Sequence, residues 1–544
     1  MSDLRPPRPA ADPPFVPYTH AILSSLARRP DQPALLCPDR RRITAGELHD
    51  SVHRLARELI ARGVRHGQTV SLLTGNTPEA LIARYAANLA GARVTPLYAG
   101  LAPDVLAHLV HLAETELLLV DPTRYADLDG LAPLLRVPSL ATLGPPPTPH
   151  SHPYQRQPQP QHQPQHPYPP LDDICAAATE RQQPPESITL PPVPVGADDD
   201  WCIRHTGGTT TGLPKSLQMK HGPYRRILDH LCSDTDAPPR YLACTPLTHF
   251  AGLWADLALL QGGSVVLQPA FDPAEVLAAI ERERITRLFL LPPLLHQLLD
   301  HPALATTDTS SVRQVAYGGS PASAARLRQA EGVFGKVLQS WYGQNETLAL
   351  TEVRPEEHDR VGRHGQITVG RAMPGVELRI VDRHGGVLPA GREGKIHART
   401  YSAMNGYWKQ PELTARVLDD GWVRTGDIGY LDDDGYLFLA DRGDDTITVD
   451  GAQVYPSEIE EALLAHPAVA ACAVFGSRAH ETYERVHAAV VPAPGHSPDA
   501  DALRRFVAAH QSGLHVPDEF HIVQAIPLSS MLKPDKNALR RTLT

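Results

Sequence analysis

The sequence predicts an α/β fold: a large N-terminal domain of βαβ-type sheets sandwiched by helices, with a small β-rich subdomain, and then a small α+β C-terminal domain. Three observations carry this. Short apolar runs alternate with longer amphipathic ones through most of the chain; from about residue 375 the runs shorten and are split by Gly and Asp; and DRGDD near residue 441 breaks the pattern before a last compact stretch. At 544 residues, more than one hydrophobic core is expected. The predicted division is 1–19 as a disordered N-terminus, 20–441 as the N-terminal domain and 442–544 as the C-terminal domain.

The elements follow in order. Thr44 and Glu47 form a capping box before the apolar stripe Leu48, Val52, Leu55, Leu59 and Ile60, and Gly63 ends that helix. Thr69–Thr74 (TVSLLT) reads as a strand. Asn76-Thr77-Pro78 starts the next helix with Pro in its first turn. Leu117–Val120 is a second strand, which completes a βαβ rhythm and predicts a parallel sheet. Residues 145–170 then interrupt it: 11 of these 26 residues are Pro, 6 are Gln and 4 are His. Such a segment has little to bury, so about 145–195 is predicted to be a disordered insertion. Its histidines are irregularly spaced on an unfixed backbone, a poor basis for a metal site. Beyond it, Ser264–Leu267 and Leu288–Leu291 are strands with a helix over Ala274–Arg284 between them. Val376–Val381, Gly394–His397 and Tyr436–Ala440 are the short strands of the β-rich part. Pro456-Ser457 opens a helix in the last domain, with Ser457 and Glu460 as its capping box. No internal repeat is present.

Composition excludes several classes. The net charge of −10 argues against a nucleic-acid-coating surface or a polybasic membrane anchor. No apolar run approaches the roughly 18–20 residues that span a bilayer. MSDLRPPRPAADPPF has no apolar core for a signal peptide, so secretion is not expected. The six cysteines lie far apart without a CxxC, which counts against a disulfide framework and a structural zinc site and fits a reducing cytoplasm.

The most informative stretch is Thr206-Gly207-Gly208-Thr209-Thr210-Thr211-Gly212-Leu213-Pro214-Lys215. Glycines let backbone N–H groups approach an anion, hydroxyls add donors, and the lysine adds a mobile positive charge. The pattern departs from a Walker A loop, which needs Lys-Ser/Thr directly after its last glycine. It is a phosphate-cradling loop of another kind.

This loop resembles that of the adenylate-forming superfamily of acyl- and aryl-CoA ligases, peptide-synthetase adenylation domains and luciferase. Further matches follow in the family's order. Pro246-Leu247-Thr248-His249 resembles its substrate-access motif, and Tyr317-Gly318-Gly319-Ser320 its adenine-binding strand end. Tyr342-Gly343-Gln344-Asn345-Glu346 is similar to YGxTE, and Thr425-Gly426-Asp427 to the ribose-binding TGD. Asp441-Arg442 through Gly451 to Pro456-Ser457-Glu458-Ile459-Glu460 resembles the hinge and the start of the C-terminal domain. The resemblance covers about 20–540. It implies two steps: ATP and a carboxylate give an acyl-adenylate and pyrophosphate, then the C-terminal domain rotates and a nucleophile, usually the coenzyme A thiol, displaces AMP. ATP and Mg²⁺ are the implied cofactors, with coenzyme A as co-substrate.

The resemblance also implies roles. Glu346 would hold Mg²⁺, Asp427 the ribose hydroxyls, and Arg442 the ribose or α-phosphate. Tyr342 would stack on adenine. Thr209–Thr211 and Lys215 would hold the β- and γ-phosphates. His249 would sit at the carboxylate and gate the pocket, beside Phe250. Lys533, or Lys536, would bridge carboxylate and α-phosphate during adenylation. Asp444 would be the hinge, and Gly451 would line the acceptor channel after rotation. Three features depart from the family. The phosphate loop has one Thr more than usual. Asn345 replaces the Thr before the Mg²⁺-binding Glu, and an amide still donates to a phosphate oxygen. Leu532 replaces the Gly before the lysine and Pro534 follows it, both of which stiffen that loop.

The run Thr248-His249-Phe250-Ala251-Gly252 has no acid to pair an ammonium, which disfavours an α-amino acid. Gly318, Gly319 and Gly343 are expected to leave the pocket floor open for an aryl or a medium-to-long acyl group. The leading reading is an acyl- or aryl-CoA ligase. The alternatives are adenylation with another acceptor (a carrier protein, an amide-forming amine, or nitrite activation toward diazotising an aromatic amine) and an inactive scaffold.

Overall fold

The computed structural model describes residues 15–97, 101–121, 128–143, 193–206, 214–232, 237–363, 365–442, 447–449, 452–480, 483–510, 515–529 and 532–544. The first helix, Tyr18–Ala27, begins two residues before the expected boundary at 20, and Tyr18 is fully buried. The expected insertion lies outside the described residues through residue 192.

Two large sheets form the body. In the nine-stranded sheet, Pro33–Leu36, Ser264–Leu267, Arg240–Ala243, Arg287–Leu290, Gln314–Tyr317 and Leu338–Gln344 run parallel side by side, with antiparallel strands at both margins. The seven-stranded sheet has a parallel part built on Thr69–Leu73 and Arg93–Leu97, continues through the antiparallel pair Asp200–His205 and Ser216–Lys220, and ends in the short strand Gly406–Tyr407. Most of their buried residues belong to one extended core, while Leu73, Leu97, Leu118, Val120 and Leu140 pack in a second cluster against the seven-stranded sheet. A five-stranded sheet containing Val376–Val381, Gly394–Thr400, Trp422–Leu431 and Leu437–Arg442 forms the β-rich part. Beyond it, Val469–His480, Tyr483–Pro492 and Glu519–Ile522 form a three-stranded sheet. A separate core of Ile447, Val454, Ile459, Leu463 and Val507, among others, underlies it.

Local chemistry sets the boundaries. Thr44 accepts from the Glu47 N–H while the Glu47 carboxylate accepts from the Thr44 N–H, the reciprocal cap expected for the helix Ala45–Ala61. Pro78 sits at the start of Pro78–Leu89 and Thr77 caps it. The expected capping box at Ser457 and Glu460 is absent. Pro456 occupies the first helical position, so Tyr455 is the cap and Ser457 is already inside the helix Pro456–Leu464. Its hydroxyl instead donates to the Ala440 carbonyl at 2.5 Å, and Glu460 accepts from the Val474 N–H. Both side chains were claimed by tertiary partners.

Asn76 joins the two large sheets. Its amide N–H groups donate to the Thr245 and Gln268 carbonyls at 2.9 and 3.0 Å, and its oxygen accepts from the Leu247 N–H at 2.9 Å. This fully buried side chain fixes the backbone that leads into His249.

Candidate active site

The site forms where strand ends and short connections of these sheets meet. The hairpin of Asp200–His205 and Ser216–Lys220 is closed by the Thr206 N–H donating to the Lys215 carbonyl at 2.9 Å, which places Lys215 at its foot. Gly207, Gly208, Thr209, Thr210, Thr211 and Gly212 lie outside the described residues. The two-residue strand Gly406–Tyr407 pairs with Ser216–Lys220. The Lys215 ammonium stands 5.6 Å from the centre of the Tyr407 ring, and the Tyr407 hydroxyl donates to a Glu346 carboxylate oxygen at 2.8 Å. Burial, and the carboxylate beside it, raise the Tyr407 phenol well above its ordinary value, so it remains a donor.

Glu346 is buried at the turn between Leu338–Gln344 and Leu348–Val353. Its carbonyl accepts from the Met404 N–H at 2.7 Å, and the Thr347 carbonyl accepts from Ser402 at 2.7 Å. Asn345 lies on the same turn. Tyr342, on the incoming strand, donates to Asp427 at 2.6 Å. Asp427 is buried and its N–H donates to the Thr425 hydroxyl. Arg442 pairs with Asp427 through the backbone of adjacent strands. One hairpin therefore ties the expected ribose-binding carboxylate at its arm to the expected metal-binding carboxylate at its tip.

The glycines divide. A Cβ on Gly343 would collide with the Leu348 carbonyl, where the hairpin carries a bulge and Leu348 has φ +55°. A Cβ on Gly318 would meet the Trp341 carbonyl at 2.9 Å. These two are required by close backbone approach, which corrects the expectation that they open the pocket floor. Gly319 (φ +88°) has room: a Cβ there would lie 3.8 Å from Leu291 and 3.8 Å from the Lys533 side chain. Lys533 thus reaches the Gly318-Gly319-Ser320 turn. Lys536 faces away, paired with Glu460 at 3.0 Å. Leu532 has φ +58°, the conformation a glycine would take, and packs against the core of the large domain.

His249 is the cap of the helix Phe250–Leu260. Phe250 packs on Phe289, with ring centres 5.2 Å apart, and on Trp254 at 6.4 Å. This apolar wall adjoins the strand ends carrying Leu291 and Gly319, since Leu290 and Tyr317 are register partners. Behind it lies a buried cluster. Asp256 accepts from Arg84 at 2.6 Å, from Tyr224 at 2.6 Å and from Tyr85 at 2.7 Å. Arg84 also donates to the Gly252 carbonyl at 3.4 Å, in the first turn of the His249 helix. Burial works against the guanidinium charge, but the adjacent Asp256 prevails and Arg84 titrates well above its ordinary value. Asp444 and Gly451 lie outside the described residues.

Sequence reasoning missed Tyr407, Asn76 and the Arg84–Asp256 pair. Only Asp256 left a signal: it is the sole charge in the apolar helix FAGLWADLALL.

The fold is that of an adenylate-forming enzyme. The chain belongs to the AMP-binding enzyme family, which matches residues 23–408; the AMP-binding enzyme C-terminal domain matches 458–533. It is similar to the medium/long-chain-fatty-acid–CoA ligase FadD8 of Mycobacterium tuberculosis, with 32% identity over 96% of this chain and 89% of that one. It is 32% identical to a feruloyl-CoA synthase from an Amycolatopsis species, over 92% of this chain and 94% of the relative. Among solved structures, amide bond synthetase McbA from Marinactinospora thermotolerans is 33% identical with a TM-score of 0.82, covering 97% of this chain and 99% of that chain. No helix among the described residues is long and apolar enough to cross a membrane.

Proposed function

We propose that this protein is an ATP-dependent, AMP-forming ligase that adenylates an aryl or medium-to-long acyl carboxylic acid and transfers the acyl group to coenzyme A. The observation that carries the reading is the convergence of Lys215, Tyr407 and Glu346 beside the Tyr342–Asp427 pair, with Lys533 approaching Gly319. In this reading Lys215 binds the β- and γ-phosphates, and Asp427, held by Tyr342, accepts the ribose hydroxyls. Attack of the carboxylate on the α-phosphorus leaves pyrophosphate; Lys533 neutralises charge between the reacting carboxylate and the α-phosphate. Glu346 would hold Mg²⁺ with the phosphates, one carboxylate plus phosphate oxygens being the usual Mg²⁺ environment, and the bound ion would offset phosphate charge. Phe250, Phe289 and Leu291 supply an apolar surface for the acyl or aryl group, and His249 stands at its mouth. Residues 442–544 are read as the mobile domain. A cytoplasmic setting accords with the free thiols of Cys37, Cys202, Cys244 and Cys472 among the described residues.

An amine acceptor is the second reading, favoured by the likeness to the amide bond synthetase. The test is product mass after incubation with ATP, Mg²⁺ and panels of aryl and fatty acids, with coenzyme A in one arm and an amine in the other. Acyl-CoA in the first arm is expected. Amide alone, at rates the thiol does not match, would replace coenzyme A with an amine; nitrite in the acid panel checks the diazotising alternative.

A further inference from the structure

The C-terminal sheet carries a cluster that adenylation does not use. Tyr483–Pro492 runs parallel to Glu519–Ile522, with His487 opposite Glu519 and Ala489 opposite His521. Side chains alternate across a strand, so His487, Glu519 and His521 share one face. Their ligand atoms all lie within 4.8 Å of one another. His487 Nδ1 is 3.1 Å from His521 Nε2; the same Glu519 oxygen, Oε2, is 3.8 Å from the first and 3.9 Å from the second.

We propose that His487, Glu519 and His521 form a binding site for one divalent transition-metal ion of the zinc class. Zinc sits about 2.0–2.1 Å from imidazole nitrogens in tetrahedral geometry, which sets two ligand atoms roughly 3.3 Å apart. The two nitrogens already stand near that spacing. The carboxylate needs to close by about half an ångström, and Glu519 is half exposed and able to do so. Two imidazoles and one carboxylate are a recognised zinc donor set, with the fourth position left to water. Three neighbours support the arrangement. Ser477 Oγ lies 2.7 Å from His487 Nε2, so accepting that ring proton leaves Nδ1 as the free lone pair facing the cluster. Arg485 takes the other Glu519 oxygen, Oε1, at 3.5 Å, a weak exposed pair that leaves Oε2 to the histidines. The adjacent Asp518 is occupied by the Val486 N–H at 2.8 Å. His487 is 3% exposed and stacks on Phe475 at 5.4 Å, which fixes its ring. No cysteine takes part.

The ligands come from two strands that sequence spacing does not connect, and Glu519–Ile522 continues toward the loop bearing Lys533. The test uses the full chain without a polyhistidine tag, with His150, His152, His162 and His166 of the insertion replaced by Asn to remove their background. After chelator treatment, Co²⁺ is added and the visible d–d absorption followed; Zn²⁺ is then titrated by calorimetry. One equivalent bound, with tetrahedral-type Co²⁺ bands and a higher melting temperature with Zn²⁺, is expected. His521→Ala, at a partly exposed position, should fold with an unchanged circular dichroism spectrum and lose that equivalent. Glu519→Gln should weaken binding about tenfold or more, and Ser477→Ala by about 10–100-fold, as removing a supporting partner does. No stoichiometric Co²⁺ or Zn²⁺ in the parent, or an unchanged equivalent in His521→Ala, would reduce the cluster to a hydrogen-bonded histidine pair and overturn the proposal.

Discussion

Replacing Asp256 by Ala removes the counter-charge of a buried guanidinium. Asp256 is 0% exposed and Arg84 9%, and the carboxylate accepts three hydrogen bonds from Arg84, Tyr85 and Tyr224. The variant leaves a charged Arg84 and two phenols without their acceptor, away from water. Breaking one partner of a buried pair costs about 3–5 kcal/mol, and the additional loss of phenol partners places this variant at the upper end. The same change frees the first turn of the His249 helix, where Arg84 holds the Gly252 carbonyl. We therefore expect two effects: a lower stability in urea, followed by tryptophan fluorescence, since Trp201 stacks on Tyr224 at 4.1 Å; and a higher KM for the acid with a smaller change for ATP. The double variant Arg84→Met/Asp256→Leu removes both charges at similar volume and should recover most of the stability, because apolar replacements of buried pairs are often neutral. A loss under about 1 kcal/mol for Asp256→Ala, or a double variant as unstable as the summed single ones, would refute the reasoning.

Other outcomes follow from the site. Lys533→Ala should cripple adenylate formation while sparing conversion of a supplied acyl-adenylate, whereas Lys536→Ala should leave both half-reactions near normal; the reverse pattern would move the catalytic role to Lys536. Tyr407→Phe removes a hydrogen bond to a carboxylate worth about 1.5–3 kcal/mol, so pyrophosphate release should fall roughly 10–100-fold with the fold retained. Burial lowers His205 to about 3 and His221 to about 4, so both are neutral in the folded chain. The unfolded chain takes up protons first, near 6.5; stability is intact above that pH and falls as pH drops toward the folded values. At about pH 5 each ring accounts for roughly 2 kcal/mol, and a melting temperature flat from pH 7 to 5 would contradict this.

The alternation of strand and helix was legible because each boundary rests on neighbours in sequence, as at Thr44–Glu47 and Thr77–Pro78. Of the residues read from motifs, Lys215 sits at the foot of a hairpin and Glu346 on a turn, while Asp427 lies within the strand Trp422–Leu431. What the sequence hid is long-range. Ser457 has a capping-box pattern, yet the Ala440 carbonyl claims its hydroxyl. Gly343 reads as open space, yet the Leu348 carbonyl fills the direction its Cβ would take. Asn76 and the His487–Glu519–His521 cluster depend on how sheets and strands come together, which local spacing does not encode.

The central claim is that the Lys215–Tyr407–Glu346 group with Asp427 adenylates a carboxylic acid. Acid-dependent exchange of labelled pyrophosphate into ATP, without coenzyme A, measures that step alone. Exchange is expected in the parent with a responsive aryl or fatty acid, with a loss of roughly 10²-fold or more in Glu346→Gln at an unchanged circular dichroism spectrum. Exchange in Glu346→Gln at the parental rate under saturating Mg²⁺ would contradict it.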